Sequence, residues 1–313
     1  MSAAAVMLIA LVLEALIGWP ARLHVRIGHP VTWIGALIAT LDRRLNRENR
    51  SAAVRRAAGL LAVSITVGTT VAVAGLLTAL LPEGPLGTAL AGLLAWPLIA
   101  TRSLHSHVGA VLRPLLTGDL PAARQAVAMI VGRDPQRLDR EGIARATLES
   151  LAENSSDGIV APIFWGLLLG LPGVAAYKAI NTLDSMIGHR TERHGAFGWA
   201  AARLDDLANL IPARATGLLF ALVSTRPRSA LLCMLRDARR HRSPNAGWPE
   251  AAMAGALEVR LSGPRSYGTR LSSEPWLNGG AADPAPGDLA RGLALFRRAI
   301  GALAFLLAIA VLV

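Results

Sequence analysis

Residues 57–81 read AAGLLAVSITVGTTVAVAGLLTALL, a run with no charged side chain. A helix rises 1.5 Å per residue, so a run of this length exceeds the roughly 30 Å thickness of a bilayer's hydrocarbon core. This stretch therefore predicts a transmembrane helix. It is followed by a tight turn at residues 82–85, PEGP, and then by a second apolar stretch.

Further apolar stretches lie on either side of this one. The predicted spans are near residues 2–18, 57–81, 86–101, 158–180, 207–224 and 299–313. The first has no basic start and no good cleavage site, which favours a retained helix over a signal peptide. The last is short and would need bilayer thinning or snorkelling to cross. We predict one all-α, multi-pass integral membrane domain over residues 1–313.

Two of these stretches carry helix-breaking and charged residues. Pro172 and Lys178 interrupt residues 158–180, and Pro212 and Arg214 interrupt residues 207–224. Broken, polar segments persist at membrane depth only against protein or a water-filled cavity. Each stretch is therefore predicted to be either a full crossing or a re-entrant hairpin.

The composition supports a membrane protein and excludes other classes. Hydrophobic residues make up 53% of the chain and charged residues 17%, which excludes a disordered protein. A single cysteine, Cys233, excludes a disulfide scaffold and a multi-cysteine metal site. The net charge of +11 suits either nucleic acid or arginine-rich cytoplasmic loops. The hydropathy favours the second interpretation, so no nucleic-acid partner is predicted.

The distribution of arginine orients the chain. Residues 20–56 hold eight Arg against two acidic residues, and residues 225–298 hold twelve Arg against six. The positive-inside rule places both segments, read as loops, in the cytoplasm, so residues 158–224 cross an even number of times. Between them we predict cytoplasmic amphipathic helices at 119–132 and 136–153, separated by a turn at 132–135. The Gly-, Pro- and Ser-rich residues 262–288 suggest an irregular loop.

The first of four polar clusters lies at residues 149–158, ESLAENSSDG. Glu149 and Glu153 are four residues apart and share one helix face, and hard oxygen ligands of this kind suit magnesium. The alternative is a solvated face on which Arg145 pairs with Glu149. Asn154 and Asp157 bring further polar groups into an apolar segment, which favours a site.

The second cluster follows Lys178, the only lysine in a chain with 31 arginines. On a helix it shares a face with Asn181, with Asp184 at the flank. A charged residue within a membrane segment indicates function, and the alternative is a lysine that snorkels to the interface. Arg190 and Arg193, just beyond, add positive charge that could meet a phosphate.

The third cluster, residues 203–209, reads RLDDLAN. Asp205 and Asp206 with Asn209 at a membrane entrance resemble a magnesium–phosphate site, although helix capping would also use these residues.

The fourth cluster, residues 237–250, contains Arg239 and Asn245 in a basic turn suited to an anionic ligand. The alternative is a cytoplasmic topology signal. One further motif, HPVTWIG at residues 29–35, places His29 in an apolar loop and is weak alone. Together the clusters indicate a membrane-embedded enzyme that handles a phosphorylated substrate with magnesium.

Five of these blocks resemble the adenosylcobinamide-phosphate synthase family (CobD/CbiB) of cobalamin biosynthesis. They are HPVTWIG at 29–35, ESLAENSSDG at 149–158, YKAINTLDSMIG at 177–188, GWAAARLDDLAN at 198–209 and RRHRSPNAG at 239–247. The resemblance runs in order from about residue 8 to about residue 280. It implies a multi-pass enzyme of the inner membrane whose active site faces the cytoplasm.

The family resemblance also implies a reaction. It is the ATP-dependent amide ligation of adenosylcobyric acid, through its ring D propionate, with (R)-1-aminopropan-2-ol or its O-phosphate. ATP and magnesium are the implied cofactors, since an amide forms from a carboxylate only after activation, for example as an acyl phosphate. The implied partners are both substrates, the lipid bilayer and other corrin-pathway membrane enzymes.

Roles follow for the residues of the four clusters. The candidate magnesium ligands are Glu153, Asp157, Asp184, Asp205 and Asp206. Phosphate binding is assigned to Lys178, Arg190, Arg203 and Arg239, and substrate orientation to Asn154, Asn181, Asn209 and Asn245. Glu149 or Asp184 would take the ammonium proton. The catalytic set is Glu149, Glu153, Asp157, Lys178, Asp184 and Asp205.

Two other classes of function stay open from sequence. One is a non-catalytic, corrinoid-binding membrane scaffold. The other is an intramembrane, magnesium-dependent phosphotransferase.

Overall fold

The computed structural model describes residues 2–131, 135–136, 138–267 and 270–313, and most of these residues are helical. The helices are α1 (Ala3–Ile17), α2 (Ala21–Ile27), α3 (Pro30–Leu45), α4 (Ala52–Leu80), α5 (Pro85–Ala95), α6 (Thr101–Thr117), α7 (Leu120–Ala128), α8 (Arg140–Ser155), α9 (Ala161–Ile187), α10 (Trp199–Ala208), α11 (Leu210–Val223), α12 (Pro227–Asp237), α13 (Gly247–Leu257) and α14 (Pro286–Leu312). Short 3₁₀ turns lie at Trp96–Leu98 and Ala238–Arg240, and a π-helical turn at Ser156–Val160 connects α8 with α9.

Three to five parts of the described chain are long and apolar enough to cross a membrane. α4, the continuous run Arg140–Ile187 and α14 qualify alone, and α1 with Ala21–Leu45 and α10 with α11 qualify as pairs. The predicted span at 57–81 coincides with α4 up to Leu80, and that at 158–180 lies within the second. The last span is longer than the predicted 299–313, because α14 begins at Pro286. The predicted span at 86–101 contains only the 11-residue α5 and a 3₁₀ turn.

Two predicted loops contain regular structure. Residues 20–56 include α2 and α3, because His29 starts α3 with a capping box and Pro30 occupies its first turn. Residues 262–288 include short strands and the start of α14. The strands are β1 (Leu261–Ser262), β2 (Arg265–Tyr267), β3 (Arg270–Ser272) and β4 (Trp276–Leu277), with β1 antiparallel to β4 and β2 antiparallel to β3.

Aromatic stacking explains why β4 forms in a Gly- and Pro-rich segment. The guanidinium carbons of Arg260 and Arg145 lie 4.2 Å and 4.9 Å from the Trp276 ring centroid. Both arginines also pair with Asp283. Cation–π contacts and shared ion pairs fix this segment against α8.

Helices near 119–132 and 136–153 are confirmed as α7 and α8, with shifted ends. The predicted amphipathic character is wrong for α8, because most of its residues are buried and it forms part of the apolar run Arg140–Ile187. Their cytoplasmic location stays a prediction. Asp119 caps α7 by accepting from the Ala122 N–H, and Asp139 caps α8 by accepting from the Gly142 N–H. The predicted turn at 132–135 lies outside the described residues apart from Pro135.

The chain packs into two compact units. The first, unit 1, comprises Met1–Ala100, Ala161–Asn209 and Leu307–Val313, and the second, unit 2, comprises Thr101–Val160 and Leu210–Leu306. The organisation as one domain stays a prediction.

In unit 1, α9 packs against α1, α3, α4 and α10. Its backbone kinks at Gly170, whose φ of 64° is in the left-handed region that favours glycine. Leu183 and Ile187 at its end join a core with Ile38 and Phe197. The N-terminal half of α9 is thereby separated by a kink from the half that carries Lys178 and Asp184.

In unit 2, α13 lies at the centre and packs against α8, α11 and α12. All its residues are buried. An apolar helix without a polar face has to be enclosed in this way.

Candidate functional site

An acidic cluster in unit 1 joins the second and third predicted clusters. α9 and α10 pack together and bring Asp184 and Asp206 within electrostatic range of Asp205. The Asn181 side chain lies beside the same carboxylate. α9 and α10 therefore bring residues of these two predicted clusters together, and their role as one site stays a prediction.

Asp205 is held by a buried hydrogen-bond network. Its Oδ2 accepts from Asn209 Nδ2 at 3.1 Å, and Tyr177 donates its hydroxyl to Asn209 Oδ1 at 2.9 Å. Because both ends of the Asn209 amide are used, its orientation is fixed. Tyr177 belongs to the sequence block 177–188, but no pattern in that block indicates its bond to Asn209, which is 32 residues away.

The second carboxylate oxygen of Asp205 is not held by the Asn209 amide. Asp205 Oδ1 is buried and has no hydrogen-bond partner in the part of the chain that the structure describes. Neighbouring carboxylates repel unless a cation or a proton lies between them. A carboxylate oxygen in this setting suits a cationic ligand, either a metal ion or an ammonium group.

Asp184 depends on a glycine for its position. A Cβ at Gly188 would lie 1.9 Å from Asp184 Oδ1, so the glycine makes room for the carboxylate one turn below. Any larger residue there would displace the acid. The sequence block that ends at Gly188 therefore supports the side chain of Asp184.

Lys178 lies on the same helix as Asp184, six residues earlier, and Thr182 donates its hydroxyl to the Lys178 carbonyl at 2.6 Å. Its ammonium group is within electrostatic range of the His29 imidazole. The structure thus brings the only lysine to the start of α3, which the sequence did not predict.

The predicted phosphate-binding arginines of unit 1 are differently placed. Arg190 is exposed, and Arg203 pairs with Asp206 across one turn at 3.2 Å. The phosphate-binding interpretation of Arg193 is not supported, because its guanidinium pairs with Asp42 at 2.8 Å and Glu48 at 2.9 Å. That cluster ties α3 to the segment after α9.

The first predicted cluster lies in unit 2. Glu149 is buried and accepts from the Ser262 N–H at 2.8 Å, whereas Glu153 and Asn154 are exposed. Asn154 donates to the Ser150 carbonyl at 2.9 Å, and Asp157 lies in the π-helical turn. Glu149 and Glu153 share a face as predicted, yet Glu149 holds the backbone of β1.

The alternative prediction, in which Arg145 pairs with Glu149, is wrong, because Arg145 has a partner far away in the chain. Arg145 pairs with Asp283, whose pKa is held below its ordinary value, chiefly by the hydrogen bond from Arg260, against the opposing effect of burial. No sequence pattern indicates this pair, because 138 residues separate Arg145 from Asp283.

The fourth predicted cluster also lies in unit 2. Arg239 is exposed on the 3₁₀ turn after α12, within electrostatic range of Arg214. Asn245 is buried, and its backbone N–H donates to Ser243 Oγ at 3.3 Å. The turn therefore presents arginine to solvent around an ordered Ser–Pro–Asn segment, an arrangement that suits an anion.

Near this turn, acids compensate part of the charge. Asp237 accepts from the Asn278 N–H and pairs with Arg236. Burial alone would raise the pKa of Asp237, but the bonds from Arg236 and Asn278 hold it below its ordinary value.

No group of three or more His, Cys, Asp or Glu side chains placed to hold a metal ion occurs among the described residues. The magnesium assignments stay predictions, as does the expectation that all four clusters act together.

Comparison with known proteins gives one consistent result. The family model described as "CobD/Cbib protein" matches residues 7–296. "Cobalamin biosynthesis protein CobD" of Rhodobacter capsulatus is 64% identical over 300 residues, covering 96% of this chain and 95% of that protein. Proteins of the same name from Sinorhizobium sp and Brucella suis biovar 1 are 46% identical over 316 residues (98% of each chain) and 47% identical over 302 residues (93% and 91%). No solved structure matches. These matches confirm the resemblance of the sequence blocks.

Proposed function

Since the chain belongs to the CobD/CbiB protein family, we propose that it is an amide-forming ligase of cobalamin biosynthesis. Its substrates would be adenosylcobyric acid and (R)-1-aminopropan-2-ol or the O-phosphate of this amine, and its product adenosylcobinamide or its phosphate. The role in cobalamin biosynthesis rests on the name shared by the similar proteins. The ligase reaction rests on the family resemblance.

The acidic cluster on α9 and α10 is the observation that carries the proposal. Amide formation brings together a carboxylate, an ammonium group and activating phosphates, so the enzyme has to supply both anionic and cationic contacts. Asp205, with one oxygen fixed by Asn209 and the other buried and without a partner among the described residues, suits the cationic part. Lys178, on the neighbouring helix α9, suits the anionic part.

The residues fit magnesium bound together with ATP. Magnesium commonly uses one or two carboxylates and completes its shell with water and substrate phosphates. Asp205 would supply a carboxylate, with Asp206 close by and Glu153 and Asp157 as the further candidates from sequence; Asp184 is the alternative ligand if it does not act as the base. When bound, ATP with magnesium supplies the activation of the substrate carboxylate. Lys178, Arg190, Arg203 and Arg239 would hold phosphates.

The chain's own side chains would orient the amine and remove its proton. Asn181 and Asn209 adjoin the Asp205 carboxylate and can position a polar substrate, as is proposed for Asn154 and Asn245. Of the two candidate bases, Asp184 is favoured, because Glu149 already accepts a backbone N–H.

We further propose that the protein acts in the inner membrane with its site facing the cytoplasm. The candidate spans and the arginine-rich segments at 20–56 and 225–298 support this orientation.

Reconstitution tests the proposal directly. The purified protein in lipid nanodiscs is incubated with adenosylcobyric acid, the amine or its phosphate, ATP and magnesium, and the amide is detected by mass spectrometry. Product that depends on all four components supports a ligase. Corrinoid binding without turnover would instead indicate the scaffold, and consumption of a lipid or nucleotide-alcohol phosphate the phosphotransferase.

The Asp205→Asn variant tests the carboxylate itself. It keeps the shape but removes the anionic ligand, so we expect turnover to be lost while membrane insertion is retained. Asp119→Asn is the matched control, because Asn caps α7 as well as Asp does. Wild-type turnover in Asp205→Asn would remove this residue from the site.

A further inference from the structure

Three side chains with hydrogen-bond donors lie on elements of unit 1 that pack together. They are His29 at the start of α3, Trp96 in the 3₁₀ turn after α5, and Lys178 on α9. The 3₁₀ turn packs against α1, α3 and α9. The proposed function uses only Lys178.

The tautomer of His29 is fixed by the fold. His29 Nδ1 accepts from the Val31 N–H at 3.2 Å as the cap of α3, and Thr32 completes the capping box. An Nδ1 that accepts carries no proton, so the ring is neutral and its proton lies on Nε2. The capping bond therefore leaves Nε2–H available as a donor.

Trp96 supplies a second and independent observation. Its side chain is 7% exposed, and its Nε1–H is buried without a hydrogen-bond partner among the residues that the structure describes. Buried donors almost always have a partner, and one left unpaired destabilises the fold, so it calls for an explanation. A bound acceptor would provide one.

Ring contacts with Trp19 connect His29 and Trp96, and chain neighbours of all three residues line one cavity. The Trp19 ring centroid lies 5.1 Å from that of His29 and 5.5 Å from that of Trp96. An apolar cavity of about 300 Å³ is lined by Pro30, Leu98 and Ala175, among others. These are the residue after His29, the second residue after Trp96, and the residue one turn before Lys178.

We propose that His29, Trp96 and Lys178 form a site for an oxyanion, a carboxylate or a phosphate ester, beside this cavity. Two neutral donors and one ammonium group suit an acceptor of negative charge, and the positive end of the α3 dipole adds to the attraction. This inference rests on the proposed function, whose substrates offer two sources of the oxyanion. It is either the propionate of the corrinoid or the phosphate of the amine substrate.

Trp96→Phe isolates the indole donor. The substitution keeps the ring and removes an N–H without a partner, so a purely structural role predicts unchanged or higher thermal stability and unchanged binding. The oxyanion site predicts that affinity for an anionic substrate falls roughly tenfold or more. Trp165→Phe is the control, because the Trp165 Nε1–H already donates to the Ala208 carbonyl at 3.1 Å.

Two substitutions at His29 separate capping from recognition. Asn and Asp both cap helices well, so both retain α3. His29→Asp places a carboxylate beside the ligand and is expected to weaken binding more than His29→Asn.

Calorimetry on the full chain in nanodiscs, without turnover, measures the affinities. The ligands are adenosylcobyric acid, the amine O-phosphate and the unphosphorylated amine, which contains no oxyanion. Loss confined to the corrinoid identifies a carboxylate, and loss confined to the amine phosphate identifies a phosphate; either supports the site. The site is refuted if Trp96→Phe and His29→Asp bind both anionic ligands like the wild type, or if the wild type binds neither. If the variants bind the anions more weakly but the wild type makes no amide, the proposed function is refuted and the site is retained. If the wild type makes the amide but the variants bind the anions normally, the site is refuted and the proposed function is retained.

Discussion

Tyr177→Phe probes how strongly the buried network fixes Asp205. Tyr177 and Asn209 are each 1% exposed, and the hydroxyl donates to Asn209 Oδ1 at 2.9 Å. The substitution keeps the ring packing, removes the donor and leaves a buried amide oxygen without it. Such a loss costs about 1–3 kcal/mol. The Asn209 amide is then free to turn its Nδ2 away from Asp205.

The assay is scanning fluorimetry in detergent, followed by turnover in nanodiscs. A loss of 1 kcal/mol lowers Tm by roughly 2–4 °C in proteins of 150–250 residues, and a chain of 313 residues should lie near the low end. We expect turnover to fall as well, because Asp205 loses its fixed donor. Thr66→Val is the control: it removes an equally buried hydroxyl that donates to a helical carbonyl, and should change little. Unchanged Tm and turnover in Tyr177→Phe would show that the network does not order Asp205.

The remaining predictions concern one acid, one base and one thiol. The pKa of Asp283 is held below its ordinary value, so its ion pairs stabilise the fold above about pH 4 and are lost as the pH falls further. Between pH 6 and pH 3, Tm should therefore fall less in Asp283→Asn than in the wild type, and an equal fall would contradict this. Lys178→Arg should lose most turnover and Lys178→Met nearly all, with normal insertion, since Arg keeps the charge but not the donor geometry; near wild-type turnover in the Met variant would indicate a snorkelling lysine. Burial raises the pKa of the Cys233 thiol to about 12, so maleimide should label it at pH 8 only after denaturation, as read by mass spectrometry.

The sequence predicted best where a feature is local. The apolar run at 57–81 depends only on its own composition, and α4 contains all of it except Leu81. The Asp205–Asn209 contact follows from helical spacing, because residues four apart are neighbours on a helix. The partner of Asn209, however, is Tyr177, 32 residues away, and no periodicity indicates that bond.

Features that depend on distant partners could not be predicted. From its spacing, Glu149 is either a magnesium ligand or part of a solvated face, but the Ser262 N–H, 113 residues away, makes it a buried acceptor. Strand β4 lies in a segment of turn-forming residues, and it forms around Trp276, which stacks with Arg145 and Arg260. Tertiary contacts override local preference in such segments.

Neither compact unit is a continuous piece of the chain, and this affects how the protein is made. Unit 1 needs residues 161–209 and 307–313 in addition to its first hundred, and unit 2 resumes only at Leu210. Early helices emerging from the ribosome therefore wait for partners that are synthesised later, with apolar surface uncovered meanwhile. Truncation at either boundary would separate segments that need each other, so neither unit is expected to be produced as a stable fragment. Completion of both units is postponed until almost the whole polypeptide has been translated.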